Sequence, residues 1–150
     1  MLFYTHLAFA FLVAILSINM LHPANQILFL IILLFAAAFP DIDHPNSKLG
    51  SKVKIIPWLF EHRGFFHSLL ALILFSLLGF YFINQKIYFY AIAIGYASHL
   101  LTDMISKQGI APFWPFSKKR FHGFIKTGGF LEMILLIIFI ILGISRLLNF

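Results

Sequence analysis

Apolar residues in this chain fall into five long runs, at about 2–21, 24–39, 64–83, 87–105 and 129–148. They show neither the short alternation of strands nor the one-sided stripe of soluble helices. Four of the runs have the roughly 20 residues needed to cross a bilayer core. The second is shorter, but Pro23 and Pro40 bracket it as helix punctuation does. The pattern predicts an all-α integral membrane protein, a compact bundle of about five transmembrane helices forming one domain over residues 1–150. The opening "MLFYTHLAFAF" lacks the basic stretch of a signal peptide, so the first run is expected to persist as a span.

Composition agrees. Hydrophobic residues make up 61% and charged residues 11%, against about half and a quarter in soluble domains. Cysteine is absent, which excludes disulfides and thiolate metal sites. The net charge of +6 would suit nucleic acid, but its distribution points to topology instead. With five spans, Lys48, Lys52, Lys54, Arg63, Lys107, Lys118, Lys119, Arg120 and Lys126 share one side of the membrane, and only Lys86 and Arg146 lie on the other. That bias predicts a prokaryotic inner-membrane protein with its N-terminus in the cytoplasm and its C-terminus outside. No nucleic-acid partner is expected.

The rare polar residues then fall at one depth. "FPDIDHP" closes the thirteen apolar residues from Ile27 to Phe39, and places Asp41 and Asp43 at the end of the second helix. His6 lies in the first turns of helix one. His62, Arg63 and His67 open the third helix, with Arg63 and His67 on a shared face and His62 rotated away. His99 and Asp103 close the fourth, and Glu132 opens the fifth. Ionisable groups at membrane depth cost several kcal/mol unless paired, hydrated or bound to metal. A divalent metal is the economical partner for such a layer.

The clearest signal is "GYASHLLTDMIS": His99 and Asp103 are four apart, one turn along one helix face, amid a polar stripe of Gly95, Ser98, Thr102 and Ser106. A hydrogen-bonding seam between helices would need only the Ser and Thr. Adding His and Asp predicts a ligand pair. Asp41 and Asp43, two apart in an extended or turn conformation, can aim the same way, and carboxylates beside imidazoles suit zinc, manganese or iron. His44 is expected to be a turn residue, Glu61 interfacial, and His22 and His122 structural or interfacial.

"THLAFAFL", "FPDIDHP", "HRGFFHSLL", "SHLLTDMIS" and "GIAPFWPF", in this order, resemble the small bacterial and archaeal membrane-bound metal-dependent hydrolases, with a more distant likeness to zinc-dependent phospholipases C. The resemblance covers residues 4 to about 132. It implies metal binding by His6, Asp41, Asp43, His67, His99 and Asp103. Phe66 departs from the pattern, which has threonine before the histidine.

Three imidazoles and three carboxylates exceed the three protein ligands usual for one catalytic zinc, so one or two ions, zinc or manganese, are expected, with an aspartate bridging and water activated by a pKa lowered to roughly 7. Phosphoester hydrolysis fits. Arg63 would hold the phosphoryl group, Asp103 would serve metal and catalysis together, and Glu132 would act as acid or base. At this depth the expected partner is a membrane lipid or other amphiphilic substrate. The alternatives are a proton or metal-ion transporter, which the one-sided layer disfavours, and a structural metal-binding membrane protein.

Overall fold

The computed structural model of the chain describes residues 1–53, 55–59 and 61–149; Lys54, one of the basic residues assigned to the inner side, lies outside the described residues. The architecture is all-α. The helices are α1 (Phe3–Leu21), α2 (Gln26–Ala38), the short α3 (Ile55–Leu59), α4 (Leu69–Ile83), α5 (Lys86–Met104) and α6 (Phe130–Leu148). Among the described residues, β pairing is confined to two isolated bridges, Ser106 with Ile125 and Ile110 with Phe121.

Helix ends follow local chemistry. Asn25 caps α2 by accepting from the Leu28 N–H at 2.9 Å, and α2 gives way to a tight 3-10 turn, Phe39–Asp43, where Pro40 removes a backbone donor. Helix α1 ends at His22 and α4 at Asn84, both in the left-handed conformation that closes helices. Among the described residues, three segments are long and apolar enough to cross a membrane: Phe3–Leu21, Gln26–Asp43 and Phe130–Leu148. Helix α5 has 19 residues, about 28 Å at 1.5 Å per residue, with its polar stripe turned inward.

The third run departs from expectation. Instead of one helix over 64–83, the chain makes a 3-10 turn at Phe65–His67 and α4 begins only at Leu69. Ser68 is the reason: its backbone is extended and its hydroxyl accepts from the Ala71 N–H at 3.1 Å, an N-cap that forbids helix before it. Arg63 is left-handed, with φ 64°. Arg63 and His67 therefore do not share a helical face.

Helix α5 packs on α1, α2 and α4, while α1 also packs on α2 and α6. Lipid offers no hydrophobic advantage to such contacts, so close packing through small residues must hold them. Gly95 shows how close: a Cβ there would lie 2.2 Å from the Leu33 carbonyl oxygen, so only glycine lets the α5 backbone meet α2. Ala10, Ala14, Ala37 and Ala91, with Ile18, Phe29 and Leu33, complete that seam. Helix α6 buries little of its surface inside the protein. The loop between α5 and α6 folds back over the 63–68 segment, with the Leu69 N–H donating to the Pro112 carbonyl at 2.9 Å and Phe65 edge-on to Trp114 at 5.8 Å.

Candidate metal centre

The polar residues meet at one end of the bundle, at the start of α1, the ends of α2 and α5, and the Arg63–His67 segment. His99 and Asp103 point from α5 into this space. The His6 ring from α1 stacks on His99, with centroids 3.9 Å apart and planes 10° from parallel. The 3-10 turn after α2 steps about 120° per residue, so Asp41 and Asp43 diverge and reach different imidazoles. Asp41 Oδ1 is 3.8 Å from His99 Nε2, and Asp43 Oδ2 is 3.1 Å from His67 Nδ1.

The decisive detail is which nitrogen of each ring is occupied. His6 Nδ1 is 2.5 Å from Thr102 Oγ1, whose proton serves the Ser98 and His99 carbonyls, so the ring donates. His99 Nδ1 donates to the Ala37 carbonyl at 2.7 Å, and His67 Nδ1 donates to Asp43. All three rings are thus tied through Nδ1, and all three Nε2 atoms are turned to Asp103. His6 Nε2 lies 3.4 Å from Asp103 Oδ1 without a hydrogen-bond partner among the described residues. His67 Nε2 is 3.5 Å and His99 Nε2 3.8 Å from Asp103 Oδ2, and those two nitrogens are 3.2 Å from each other. Ligands at 2.0–2.1 Å from a tetrahedral ion stand about 3.3 Å apart. Tying the far nitrogen to a carbonyl, hydroxyl or carboxylate is how proteins orient metal-binding histidines.

Among the described residues, three overlapping groups could hold a metal: His6, His99 and Asp103; Asp41, His67 and His99; and Asp43, His62 and His67. The donor set fits a divalent transition metal, since its imidazoles and carboxylates are accompanied by no thiolate. Burial of His67 alone would push its imidazole down, but the Asp103 and Asp43 carboxylates against its two nitrogens outweigh this and raise it to about 9. The site thus favours a cation between those carboxylates. At the rim, His44 stands edge-on to His62 at 4.4 Å, and burial together with that neighbour pushes its imidazole down.

Other expected residues have different partners. Asp43 is buried, with Oδ1 2.8 Å from His62 Nδ1 and Oδ2 accepting from the Arg63 backbone N–H at 3.1 Å as well as from His67, a positioning geometry. Contrary to the helical projection, His62 turns toward the site. Arg63 is buried; its guanidinium donates to the Gly109 carbonyl at 2.9 Å and to Asp103 Oδ1 at 3.3 Å. Asp103 Oδ1 also receives the Met1 amino group. Glu132 is buried, and its oxygens accept from the Leu2 and Gly128 N–H groups, each at 2.6 Å, which pins the start of α1. Phe66 is buried, and its carbonyl accepts from Tyr96 Oη at 2.6 Å, so backbone supports the turn where a threonine was expected. Sequence reasoning missed His62, the Ala37 carbonyl and the role of Thr102; only Thr102, on the α5 polar stripe, left a periodic signal. His22 and His122 are exposed and outside the cluster.

Residues 1–149 match the family described as YdjM inner membrane protein. The chain is 38% identical to the inner membrane protein YdjM of Escherichia coli (strain K12) over 90 residues, 51% of this chain and 43% of that protein. It is 35% identical to the uncharacterized protein YvsG of Bacillus subtilis (strain 168) over 105 residues, 67% of this chain and 66% of that protein. The match thus spans under half the length of the Escherichia coli relative. No solved structure matches.

Proposed function

The chain belongs to the YdjM inner membrane protein family, and on that premise we propose that it is a membrane-embedded metal-dependent hydrolase acting on a phosphoester of a lipid or lipid-linked substrate. One observation carries this reading: three imidazoles tied through Nδ1 turn their Nε2 atoms to one carboxylate that offers both oxygens. His6, Asp41, His67, His99 and Asp103 would hold one or two zinc or manganese ions. Bound there, the metal would supply Lewis acidity toward the phosphoryl oxygens and an acidified water.

The chain's own residues do the rest. Arg63 presents a guanidinium beside Asp103, placed to neutralise charge growing on the phosphoryl oxygens. Asp41, with 17% of its side-chain surface exposed where its partners are sealed, is the carboxylate that water reaches, and it would accept the proton of the attacking water. Water's oxygen joins phosphorus, the bond to the alcohol oxygen breaks, and a proton passes to that oxygen. A site at the end of the bundle suits an amphiphile whose tail stays in the bilayer.

The test is protein purified in detergent, assayed for metal and against a phosphoester panel. His99→Ala should lower metal content where His22→Ala and His122→Ala do not, and Asp103→Asn should abolish turnover with loss of metal. Arg63→Lys should keep the metal and lower turnover by about 10²-fold, the scale of one removed electrostatic stabiliser. Undiminished phosphoester turnover in Arg63→Lys would remove the phosphate assignment; no hydrolysis by metal-loaded protein would leave a structural metal.

A further inference from the structure

An apolar groove of about 350 Å³ lies where α2 and α4, both packed on α5, flank a stripe of α5. Ile31, Phe35 and Phe39 line it from α2 and the turn that follows, Phe75 from α4, and Ile92 and Tyr96 from α5. Among the described residues, Tyr96 brings the one polar side chain of the wall, and its hydroxyl is already engaged by the Phe66 carbonyl at 2.6 Å. Every lining residue belongs to an apolar run and Ile31 and Phe35 are exposed on the rim, so what meets the groove is hydrocarbon. From Ile31 to Phe39 the lining advances eight residues, about 12 Å at 1.5 Å per residue. An extended chain advances about 1.2 Å per bond, as a polypeptide does over its three bonds per residue, so that length takes about ten carbons. The volume agrees, being room for about a dozen groups of roughly 30 Å³, the share of one water. That is one chain and not two.

The groove leads to the metal centre. Ile92, Tyr96, His99 and Asp103 fall at i, i+4, i+7 and i+11 on one face of α5, so the stripe that floors the groove carries His99 and Asp103 about one and two turns beyond Tyr96. From α2, Phe39 opens the 3-10 turn that holds Asp41 two residues on, the carboxylate with exposed surface. Phe75 meets Phe39 edge-on at 4.8 Å and stacks on Tyr96 at 6.1 Å, which gives the end nearest the site an aromatic floor. A chain lying in the groove has its inner end beside Phe39, on the approach to Asp41. We propose that the groove seats one aliphatic chain of about ten carbons, the tail of the amphiphile whose head is processed at the metal centre. The link to that head rests on the hydrolase reading; the seating of a chain does not.

Seating is tested without metal. Protein stripped by chelator and kept in a steroidal detergent is irradiated with decyl phosphate carrying a diazirine either beside the head or at the chain end, and the adducts are mapped by peptide mass spectrometry. The head-proximal probe should label around Phe39 and Phe75 and the chain-end probe around Ile31 and Ile92, each at least tenfold above Ile137 and Ile141, which are exposed on α6. Equal labelling of α6, or the same adducts from both probes, overturns the proposal. The chain has no cysteine of its own, so Ile31→Cys places a single thiol on the rim, where a decyl thiosulfonate would plug the groove and a methyl thiosulfonate would not. The plug should cut groove labelling at least tenfold, reductant should restore it, and the same treatment of Ile141→Cys should change nothing; undiminished labelling of the plugged protein also overturns the proposal. Turnover of hexyl, decyl and hexadecyl phosphates by metal-loaded protein is then measured separately, and kcat/KM should rise from hexyl to decyl and level off beyond it. Groove labelling without any turnover keeps the chain site and removes the hydrolase reading, whereas turnover indifferent to chain length, without groove labelling, does the reverse.

Discussion

Asp43→Asn separates a carboxylate that binds metal from one that aims a ligand. Asp43 is fully buried and accepts from His62 Nδ1, the Arg63 N–H and His67 Nδ1. Asparagine keeps the shape. With its carbonyl oxygen in the place of Oδ2, the bonds to Arg63 and His67 survive, and the amide NH₂ meets His62, whose partly exposed ring can change tautomer to accept it. What is lost is the charge. A hydrogen bond to a charged group contributes about 1.5–3 kcal/mol and a neutral one about 0.5–1.5, so His67 is held less firmly by about 1–1.5 kcal/mol. That predicts a weakening of metal affinity of about tenfold, at the low end of the 10–100-fold typical of orienting partners, with stoichiometry unchanged. Zinc competition against a chromophoric chelator, with metal content by mass spectrometry, measures both. A fall in ions bound per chain, or an affinity loss beyond about a thousandfold, would make Asp43 a ligand and refute the orienting role. No change at all would mean that the bond to His67 Nδ1 does not set the site.

Three further outcomes are expected. Gly95→Ala should destabilise the bundle by about 1–3 kcal/mol in detergent melts, the scale of an overpacked contact, because the added carbon lies 2.2 Å from backbone oxygen of Leu33; an unchanged melt would mean that α2 and α5 are not held this closely. Single cysteines at Ser47 and Asn149 should react with impermeant thiol reagents from opposite faces of the membrane; labelling from one face would break the five-span topology. Metal-free protein should lose stability as pH rises from about 6.5 through 9, because His67 is raised from its ordinary value to about 9 and its proton-linked stabilisation is complete only below the unfolded value; His67→Gln should flatten that slope, and an equally steep slope in the variant would assign it elsewhere.

Hydropathy made the spans legible, and within two or three residues the ends of α1, α2, α5 and α6 follow the apolar runs. His99 and Asp103 were legible because four residues on a helix fix a shared face whatever surrounds it. The Arg63–His67 segment was not, because a helical projection assumes a helix and here the Ser68 cap forbids one. The turn is held instead by groups distant in sequence, Tyr96 on the Phe66 carbonyl and Asp43 on the Arg63 N–H. Glu132 illustrates a second blindness. Its place at the mouth of α6 was evident, but the donors it serves are backbone N–H groups, one of them 130 residues away, and backbone donors leave no trace in residue identity.

The bond from His99 to the Ala37 carbonyl joins α5 to α2, and the contact of Gly95 with Leu33 fixes the gap between the same two helices one turn earlier. Helices α4 and α6 stand outside this clamp, α6 packing chiefly on α1 and α4 on α5. Changes in bilayer thickness or lateral pressure would be absorbed first as tilt of those two outriggers. The inner three helices are thereby insulated, and the stacked rings of His6 and His99 keep their spacing while the membrane around them changes.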